Sequence, residues 1–219
     1  RNRPEEIGTC LESLANVDYP KEKLDIIVVD DASDDDTRQA VEGYGVTLHA
    51  MPERRGASAC RNSGAQHSQG DIICFLDSDC LVDSAWLEEL LPVFSQPDVG
   101  AVGGLVDSLD DATALDRYEK VKSSLHMGTR TTDSTQGNRF FYVPSCNLAV
   151  RRKTFMEAGG FNESLEVGED VDLCWRMIDS GWTIEYRPSA RVLHKHRNRI
   201  WPFCKRRFQY GTSEPLLQS

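Results

Sequence analysis

Apolar residues in the first half of the chain follow two spacings, one typical of helices and one typical of buried strands. After Pro4 they recur at helical spacing up to Leu14, which predicts a helix. The run KLDIIVVDD follows, and its continuous β-branched residues are typical of a strand covered on both faces. Ser33 and Asp36 then form a pattern like a capping box. The two spacings predict further strands at VTLHAM, DIICFLD and VGAVGGLV, and helices over 37–42, 56–66 and 84–94.

This alternation predicts an α/β fold, with a Rossmann-like, mixed and mostly parallel sheet and helices on both faces. In open sheets of this kind, ligands bind beyond the carboxyl ends of the strands. In such a sheet a strand usually precedes the first helix, but this sequence starts with the helix. We therefore expect a leading strand just before Arg1. We expect one domain over 1–219, in which the polar stretch 107–139 connects two halves.

The balance of charges changes the range of functions to consider. The formal charge of −10 argues against a general nucleic-acid binder, which would normally have a basic surface. Between Glu185 and Glu214, however, the sequence has eight lysines and arginines and no acid. This segment could meet a phosphate-bearing ligand or the surface of an anionic membrane, or it could be a solvated basic face.

The seven cysteines have neither C-x-x-C pairs nor the spacing of a zinc site. We interpret them as reduced thiols of a cytoplasmic protein, which could lie at the inner membrane surface. No apolar run reaches the ~20 residues of a membrane-spanning helix, and no signal peptide is evident.

Paired aspartates follow two of the predicted strands. Asp30 and Asp31 close one strand, and Asp77 and Asp79 close another. Carboxylate oxygens suit Mg²⁺ or Mn²⁺, whose remaining ligands are usually substrate phosphates and water. The second pair therefore predicts a metal site and a substrate with a diphosphate, although a plain polar turn would have the same sequence. A disulfide from Cys74 to Cys80 is disfavoured, because Cys74 lies inside a predicted strand.

A second group of candidate residues lies late in the chain. Glu169, Asp170 and Asp172 stand at the predicted start of a helix, where the helix dipole stabilises a carboxylate as the anion and keeps it ready to accept a proton. Capping would explain one of these acids but not three. His194 and His196 alternate on a predicted strand, so we expect them to share a face and to offer a further metal ligand.

In their order, the motifs VVDDASDDDT, RRGASACRNSGA, GDIICFLDSDC, CNLAVRRKTFMEAGGFNE and GEDVDLCWRM resemble those of the inverting glycosyltransferases of family two, which have the GT-A fold. The resemblance covers nearly the whole chain. It implies a nucleotide-sugar donor, an acceptor hydroxyl and a divalent metal, Mn²⁺ or Mg²⁺. It also implies a nucleotide-binding half at 1–106 and an acceptor or catalytic half at 107–219.

The resemblance further implies a role for each matching residue. For the nucleotide, Asp30 and Asp31 would contact the base and ribose, Arg61 would lie near the base, and Asp77 would hold the ribose or support the metal site. Asp79 and His194 (or else His196) would bind the metal, and Asp170 would be the catalytic base. The acceptor or the diphosphate would be contacted by Glu169, Arg206 and Arg207.

We therefore expect metal-assisted single displacement of a hexose, with UDP-hexose as the donor and a carbohydrate, lipid or peptide-derived acceptor. The segment CKRRFQYGTS lacks the Q-x-x-R-W motif of processive members, so synthesis of a long polymer is not expected. The run from VPSCNLAVRR to RRFQYG is similar to the glycosyltransferases of the mycofactocin pathway, which glucosylate a peptide-derived redox cofactor. The alternative is a non-catalytic domain that binds nucleotide sugars or serves as a scaffold.

Overall fold

The predicted alternation of strands and helices is confirmed in a computed structural model. It describes residues 1–136, 140–196 and 199–217, without the side chains of 212–217. The helices are α1 (Pro4–Ala15), α2 (Thr37–Val41), α3 (Ala57–His67), α4 (Trp86–Leu90), α5 (Ala114–Lys122), α6 (Arg152–Glu157), α7 (Glu169–Asp179) and α8 (Ile200–Leu217), with 3₁₀ turns at Lys21–Lys23 and Leu91–Ser95. The strands are β1 (Ile27–Asp30), β2 (Thr47–Ala50), β3 (Ile72–Leu76), β4 (Cys80–Val82), β5 (Val99–Ser108), β6 (Thr132–Asp133), β7 (Asn147–Arg151) and β8 (Thr183–His194).

The strands form two sheets. β1 and β2 pair in parallel, and the larger sheet has the order β3-β7-β5-β8-β4, with β6 also paired to β8. β5 and β8 are parallel, whereas β7 is antiparallel to both β3 and β5. β3, β5 and β8 therefore run in the same direction, which confirms the predicted mixed α/β sheet.

Hydrophobic clusters cover both faces of the larger sheet. Val102 of β5 belongs to a cluster with Trp86 and Leu90 of α4. Ala101, the next residue along β5, belongs to the opposite cluster, which contains Leu173 of α7. Successive residues of a strand point to opposite faces, so a strand with helices on both sides needs a continuous apolar run. The predicted cover of helices on both faces is confirmed.

A cavity separates the smaller sheet from β3. Its volume is about 1000 Å³, and its lining includes the apolar side chains of Ile27, Val29, Ile73 and Phe75. The leading strand expected before Arg1 stays a prediction.

Three local predictions are wrong, each for a physical reason. The helix predicted over 84–94 changes to a 3₁₀ turn after Leu90, because Pro92 has no backbone N–H to donate. The capping box of Ser33 and Asp36 does not form; instead Asp35 Oδ1 accepts the N–H of Thr37 at 3.0 Å. The strand β8 ends at His194, so His196 lies beyond it.

The described part of the chain has no helix long and apolar enough to cross a bilayer. All seven cysteines are free. Cys74 lies in the middle of β3 and Cys80 begins β4, so the two belong to different strands.

Asn147 forms hydrogen bonds with three elements at the centre of the larger sheet. Its fully buried side chain donates to the carbonyls of Leu105 at 3.0 Å and Ala190 at 2.9 Å, and it accepts the indole N–H of Trp86 at 2.8 Å. One amide thus satisfies polar groups from β5, β8 and α4 that water does not reach.

We expect Asn147→Leu to lower the free energy of unfolding by about 3 kcal/mol, because it leaves three buried polar groups without partners. Trp86→Phe leaves only the amide oxygen unpaired and should cost less. Urea denaturation of both variants tests this, and a change within about 0.5 kcal/mol for Asn147→Leu would contradict the assigned role.

Candidate active site

The structure brings Asp79 and His194 together at the ends of their strands. Asp79 directly precedes β4, and Cys80 pairs with His194 across the β4–β8 ladder. As a result, His194 Nε2 lies 3.6 Å from Asp79 Oδ1. Two residues far apart in sequence therefore form one cluster of oxygen and nitrogen ligands.

A cationic side chain already balances the charge of Asp79. The guanidinium of Arg3 forms an ion pair with Asp79 Oδ2. Burial works to lower the pKa of Arg3, but the nearby Asp79 outweighs it and leaves that pKa raised. Arg3 is held by its backbone N–H, which donates to Thr37 Oγ1 at 2.9 Å. The position beside Asp79 therefore favours a positive charge.

His196 lies beside His194 although it is outside the strand. The two rings are 4.7 Å apart, with 3.3 Å between their Nδ1 atoms. Burial, and then the neighbouring His194, lower the pKa of His196 to about 4. Its Nε2 is buried and has no hydrogen-bond partner among the described residues. Neutral imidazole is the form that binds metals, so either histidine has suitable chemistry.

The donor atoms around Asp79 fit a hard divalent ion. Asp79, Cys80 and His194 each offer one ligand atom, and these three atoms lie within 4.8 Å of one another. The pKa of the Cys80 thiol is raised well above its usual value, first by a hydrogen bond with Cys146 and then by burial. A thiol that keeps its proton is a poor ligand. The carboxylate and the imidazole that remain suit Mn²⁺ or Mg²⁺.

Arg61 links three elements around the candidate site. From α3, it donates to Asp77 Oδ1 at 2.6 Å and to Glu169 Oε1 at 2.8 Å, and its guanidinium lies 5.5 Å from the centre of the Phe161 ring. Burial works to lower the pKa of Arg61, but Asp77 and Glu169 raise it well above its usual value. Burial likewise works against ionised Asp77, but Arg61 makes the net shift of its pKa a decrease. Arg61 thus favours the ionised form of Asp77 and holds Glu169 in an ion pair.

Asp170 has a different environment from the other acids. Gly168 precedes α7 with φ +84°, in the left-handed region that favours glycine, and the helix begins at the next residue. Asp170 accepts the N–H of Ser145 at 3.2 Å and that of Val171 at 2.9 Å. Burial and then the charge of Glu169 nevertheless raise its pKa to about 6. A carboxylate with this pKa is a stronger base than an exposed one and is still ionised at neutral pH.

Asp172 belongs to a structural ion pair. It contacts Arg176 at 2.6 Å, and Arg176 also donates to the carbonyl of Gly160 at 2.8 Å. Of the three acids at the start of α7, Glu169 therefore binds Arg61 and Asp172 binds Arg176, whereas Asp170 forms no ion pair with any cationic side chain that the structure describes.

Asp30 and Asp31 hold the loops that follow their strand. Asp30 accepts the Nε–H of Arg38 at 2.7 Å and also bonds Ser33; burial alone would raise its pKa, but these bonds lower it. Asp31 accepts the backbone N–H groups of Arg55 at 2.6 Å and Gly56 at 3.1 Å. Both lie at the rim of the cavity beside β1, together with Arg61 and Asp77.

A cleft of about 1250 Å³ brings most of the candidate residues together, whereas Asp30 and Asp31 line the cavity beside β1 instead. Arg206 and Arg207 of α8 line it: Arg206 lies 5.5 Å from the Tyr210 ring, and Arg207 bonds Glu119 at 3.3 Å. The predicted residues that line the cleft are Arg61, Asp77, Asp79, Glu169, Asp170, His194, His196, Arg206 and Arg207, and the aromatic residues are Phe140, Tyr142, Trp175, Phe203 and Tyr210.

Sequence reasoning did not find Arg3 or Ser145. Arg3 precedes Pro4 and looks like an ordinary residue at the start of a helix. Ser145 acts through its backbone N–H, which any residue but proline supplies. The only available signal for Arg3 was its place before the first helix of a sheet whose strands end in aspartates.

The sequence model of glycosyl transferase family 2 matches residues 1–159. The chain belongs to this family. A pre-mycofactocin glycosyltransferase of Mycobacterium tuberculosis is 38% identical over 200 residues, which are 89% of this chain and 42% of that protein. The glycosyltransferase AglE of Haloferax volcanii is 29% identical over 97% of this chain and 70% of its own length. The chain thus spans less than half of the first relative.

Solved glycosyltransferases share the GT-A fold of this family 2 member. The mannosyltransferase PcManGT of Pyrobaculum calidifontis, in complex with GDP-Man and Mn²⁺, has a TM-score of 0.71 at 21% identity, over 93% of this chain and 57% of that one. TarS of S. aureus, in complex with UDP-GlcNAc, has a TM-score of 0.72 at 21% identity, over 90% of this chain and 57% of that one. The predicted family and fold are confirmed.

We expect Asp170→Asn to stabilise this family 2 glycosyltransferase at neutral pH by about 1–3 kcal/mol. The pKa of Asp170 is higher in the folded chain, at about 6, than its ordinary value of 3.8, so the ionised carboxylate costs stability above pH 6. The neutral amide removes that cost, and the gain should shrink as the pH falls from about 6 to 3.8.

Urea denaturation at several pH values measures this gain. Asp172→Asn is the matched control on the same helix, and it should be destabilising because it breaks the ion pair with Arg176. Equal stabilisation by both substitutions, or a gain that does not depend on pH, would contradict the assigned environment of Asp170.

Proposed function

We propose that this family 2 glycosyltransferase transfers a hexose, with inversion, from UDP-hexose to an acceptor hydroxyl. The observation that carries the proposal is that Asp170, with its raised pKa, lines the same cleft as Asp79 and His194. A base for the acceptor and a cation site for the departing diphosphate are the two groups that a single displacement needs.

The donor lies with its nucleotide along the half at 1–106, near Asp30, Asp31, Arg61 and Asp77. Two features support this: these residues gather at the carboxyl ends of β1 and β3, and similar folds hold GDP-Man or UDP-GlcNAc. The acidic rim suits hydroxyl groups of a ribose, which can donate to carboxylates. The half at 107–219 then supplies the base and the contacts to the acceptor.

Asp79 and His194 would hold the metal, Mn²⁺ or Mg²⁺, with His196 as the alternative ligand. When bound, the ion neutralises charge that develops on the leaving diphosphate. Mn²⁺ accompanies the nucleotide sugar in PcManGT, and UDP and GalNAc in GalNAc-T7. Arg3 pairs with Asp79 in this structure, so its guanidinium would be near enough to the metal site to contact the diphosphate as well.

In the transfer step, the acceptor oxygen forms a bond to the anomeric carbon of the sugar. The bond from that carbon to the diphosphate oxygen breaks, and its electron pair leaves with the diphosphate. Asp170 takes the proton of the acceptor hydroxyl. Ser145 and Val171 orient the Asp170 carboxylate through their backbone N–H groups, while Glu169 and Arg61 keep the local charge balanced.

The acceptor is a hydroxyl-bearing molecule of the pre-mycofactocin type, which would be glucosylated. The 38% identity to a pre-mycofactocin glycosyltransferase supports this choice, as do the aromatic residues that line the same cleft as Asp170. Arg206 and Arg207, on α8, contact the acceptor or the diphosphate.

We expect Asp79→Asn to weaken the Mn²⁺-dependent binding of UDP at least about tenfold, because the amide lacks the charge that holds the ion. Calorimetric titration of UDP with and without Mn²⁺ measures this. Asp83→Asn is the matched control, since Asp83 pairs with Arg191 and lies outside the cleft. Equal Mn²⁺-dependent affinity in wild type and Asp79→Asn would remove Asp79 from the metal site.

We expect Asp170→Asn to keep UDP binding but to lower kcat at least about 100-fold, because the amide cannot take the proton. In wild type, kcat/KM should rise with pH through about 6 and then level off, as Asp170 becomes ionised. Glu169→Gln should move this midpoint to lower pH, since it removes the neighbouring negative charge.

Release of UDP from UDP-glucose, with a pre-mycofactocin acceptor, measures the rate. Unchanged turnover in Asp170→Asn would remove the assigned base. Wild type that binds UDP with Mn²⁺ but transfers no sugar from any UDP-hexose would favour a scaffold that only binds nucleotide sugars.

A further inference from the structure

Exposed apolar side chains concentrate on two helices, α5 and α8. Of the nine large hydrophobic residues that are exposed in the described part of the chain, five lie there. Their exposed fractions reach 84% for Trp201, 75% for Ile200, 73% for Phe208 and 70% for Val121. Burying any of these side chains would be favourable, and clustered exposure of this kind marks interaction surfaces.

The spacing along α8 separates two faces. Ile200, Cys204 and Phe208 are four residues apart and form one exposed stripe, with Trp201 beside it. Phe203 and Tyr210 belong to the other face, which lines the cleft. The exposed stripe is therefore distinct from the part of α8 that forms the cleft wall.

α5 extends the same surface. The rings of Tyr118 and Phe203 meet edge to face, 5.9 Å apart, and Arg207 donates to Glu119 and to the carbonyl of Lys122 at 3.1 Å. The two helices therefore pack together, and their exposed residues lie on neighbouring helices. We name the area made by Tyr118, Val121, Ile200, Trp201, Cys204 and Phe208 the α5–α8 surface.

The exposed charges on the two helices are basic. Both acids of α5 are buried: Asp116 is in its capping box and Glu119 bonds Arg207. Along α8 no acid occurs from Ile200 to Gly211, and Glu214 is the first. The exposed basic residues around the α5–α8 surface are Arg117, Lys120, Lys122, Arg199 and Lys205. A local basic area is unexpected by chance on a chain whose formal charge is −10.

We propose that the α5–α8 surface docks on a membrane that contains anionic lipids. Tryptophan and aliphatic side chains bury in the boundary between headgroups and acyl chains, while lysine and arginine pair with lipid phosphates. Each basic residue near such a surface adds to the attraction, and these contributions are additive along a polybasic segment. Neither contact requires a helix that spans the bilayer.

Two other partners fit the α5–α8 surface less well. A second copy of the chain in a two-fold dimer would bring the same basic residues against each other, where they repel. A nucleic acid would pair with the basic residues and could stack on the aromatic ones, but it would leave the aliphatic side chains of Ile200 and Val121 in water. A bilayer satisfies both the aliphatic and the basic residues.

The docked orientation has a consequence for the cleft. The cleft-lining face of α8 lies on the same helix as the membrane-contacting stripe, so the cleft would be close to the lipid surface. Docking does not depend on the proposed transfer reaction, because the stripe shares no residue with the cleft.

Vesicle flotation tests the proposal, with vesicles of phosphatidylcholine plus phosphatidylglycerol and vesicles of phosphatidylcholine alone. We expect the chain to float with the anionic vesicles and to be released by high salt, which screens the lysines and arginines. The double variant Trp201→Glu and Phe208→Glu should reduce the bound fraction at least about tenfold, and Lys205→Glu should reduce it less. Met156→Glu, on the exposed side of α6, is the matched control and should float like wild type.

Wild type that stays unbound to anionic vesicles, or a double variant that floats like wild type, would overturn the proposal. Sedimentation without lipid adds a second outcome: a wild-type dimer that the double variant converts to a monomer would assign the surface to a second copy instead. Calorimetry with UDP and Mn²⁺ separates this test from that of the active site. The double variant should bind UDP like wild type, whether or not transfer activity is established.

Discussion

The cluster of Arg61, Asp77 and Glu169 is the interaction on which the candidate site depends. One guanidinium holds the carboxylate at the end of β3 and the carboxylate at the start of α7, so two segments that are distant in sequence keep a fixed relation. Removing the cation would leave two nearby acids at the centre of the cleft without their common partner, and such groups repel. Within the described part of the chain, the same arrangement leaves Asp170 without an ion pair, because its neighbour Glu169 binds the arginine. The availability of a base therefore follows from how the other acids are paired.

Much of the fold could be predicted, because strands covered on both faces have an unmistakable continuous apolar pattern. The runs that became β1, β3 and β5 are of this kind, and α7 has a clear apolar stripe. The pattern did not indicate α8, whose outer face is apolar and exposed, since an amphipathic pattern normally marks a helix by its buried side. The three-residue strand β4 also escaped prediction, because its pairing with β8 is a long-range contact that leaves no local pattern.

The residues of the candidate site that lie at the ends of strands could be predicted from the sequence. Strands that end in aspartates place them at one edge of a sheet, and the histidine at the end of β8 falls beside Asp79 for the same reason. The partners that tune these residues were not predictable. Arg3 lies 76 residues from Asp79 along the chain, and Ser145 contributes a backbone group that has no signature in sequence. The assigned roles in donor and metal binding rest on the resemblance and stay predictions.

The ion pair between Arg3 and Asp79 also bears on how this chain can be handled in the laboratory. In small zinc domains the fold collapses when a chelator strips the metal, because the free energy of metal binding supplies the free energy of folding. Here a side chain of the protein acts as a built-in counterion, so the strand ends remain neutralised in metal-free buffer. Arg3 would therefore let the fold form without a metal ion. The affinity measured for an ion at Asp79 would then report an exchange of one cation for another.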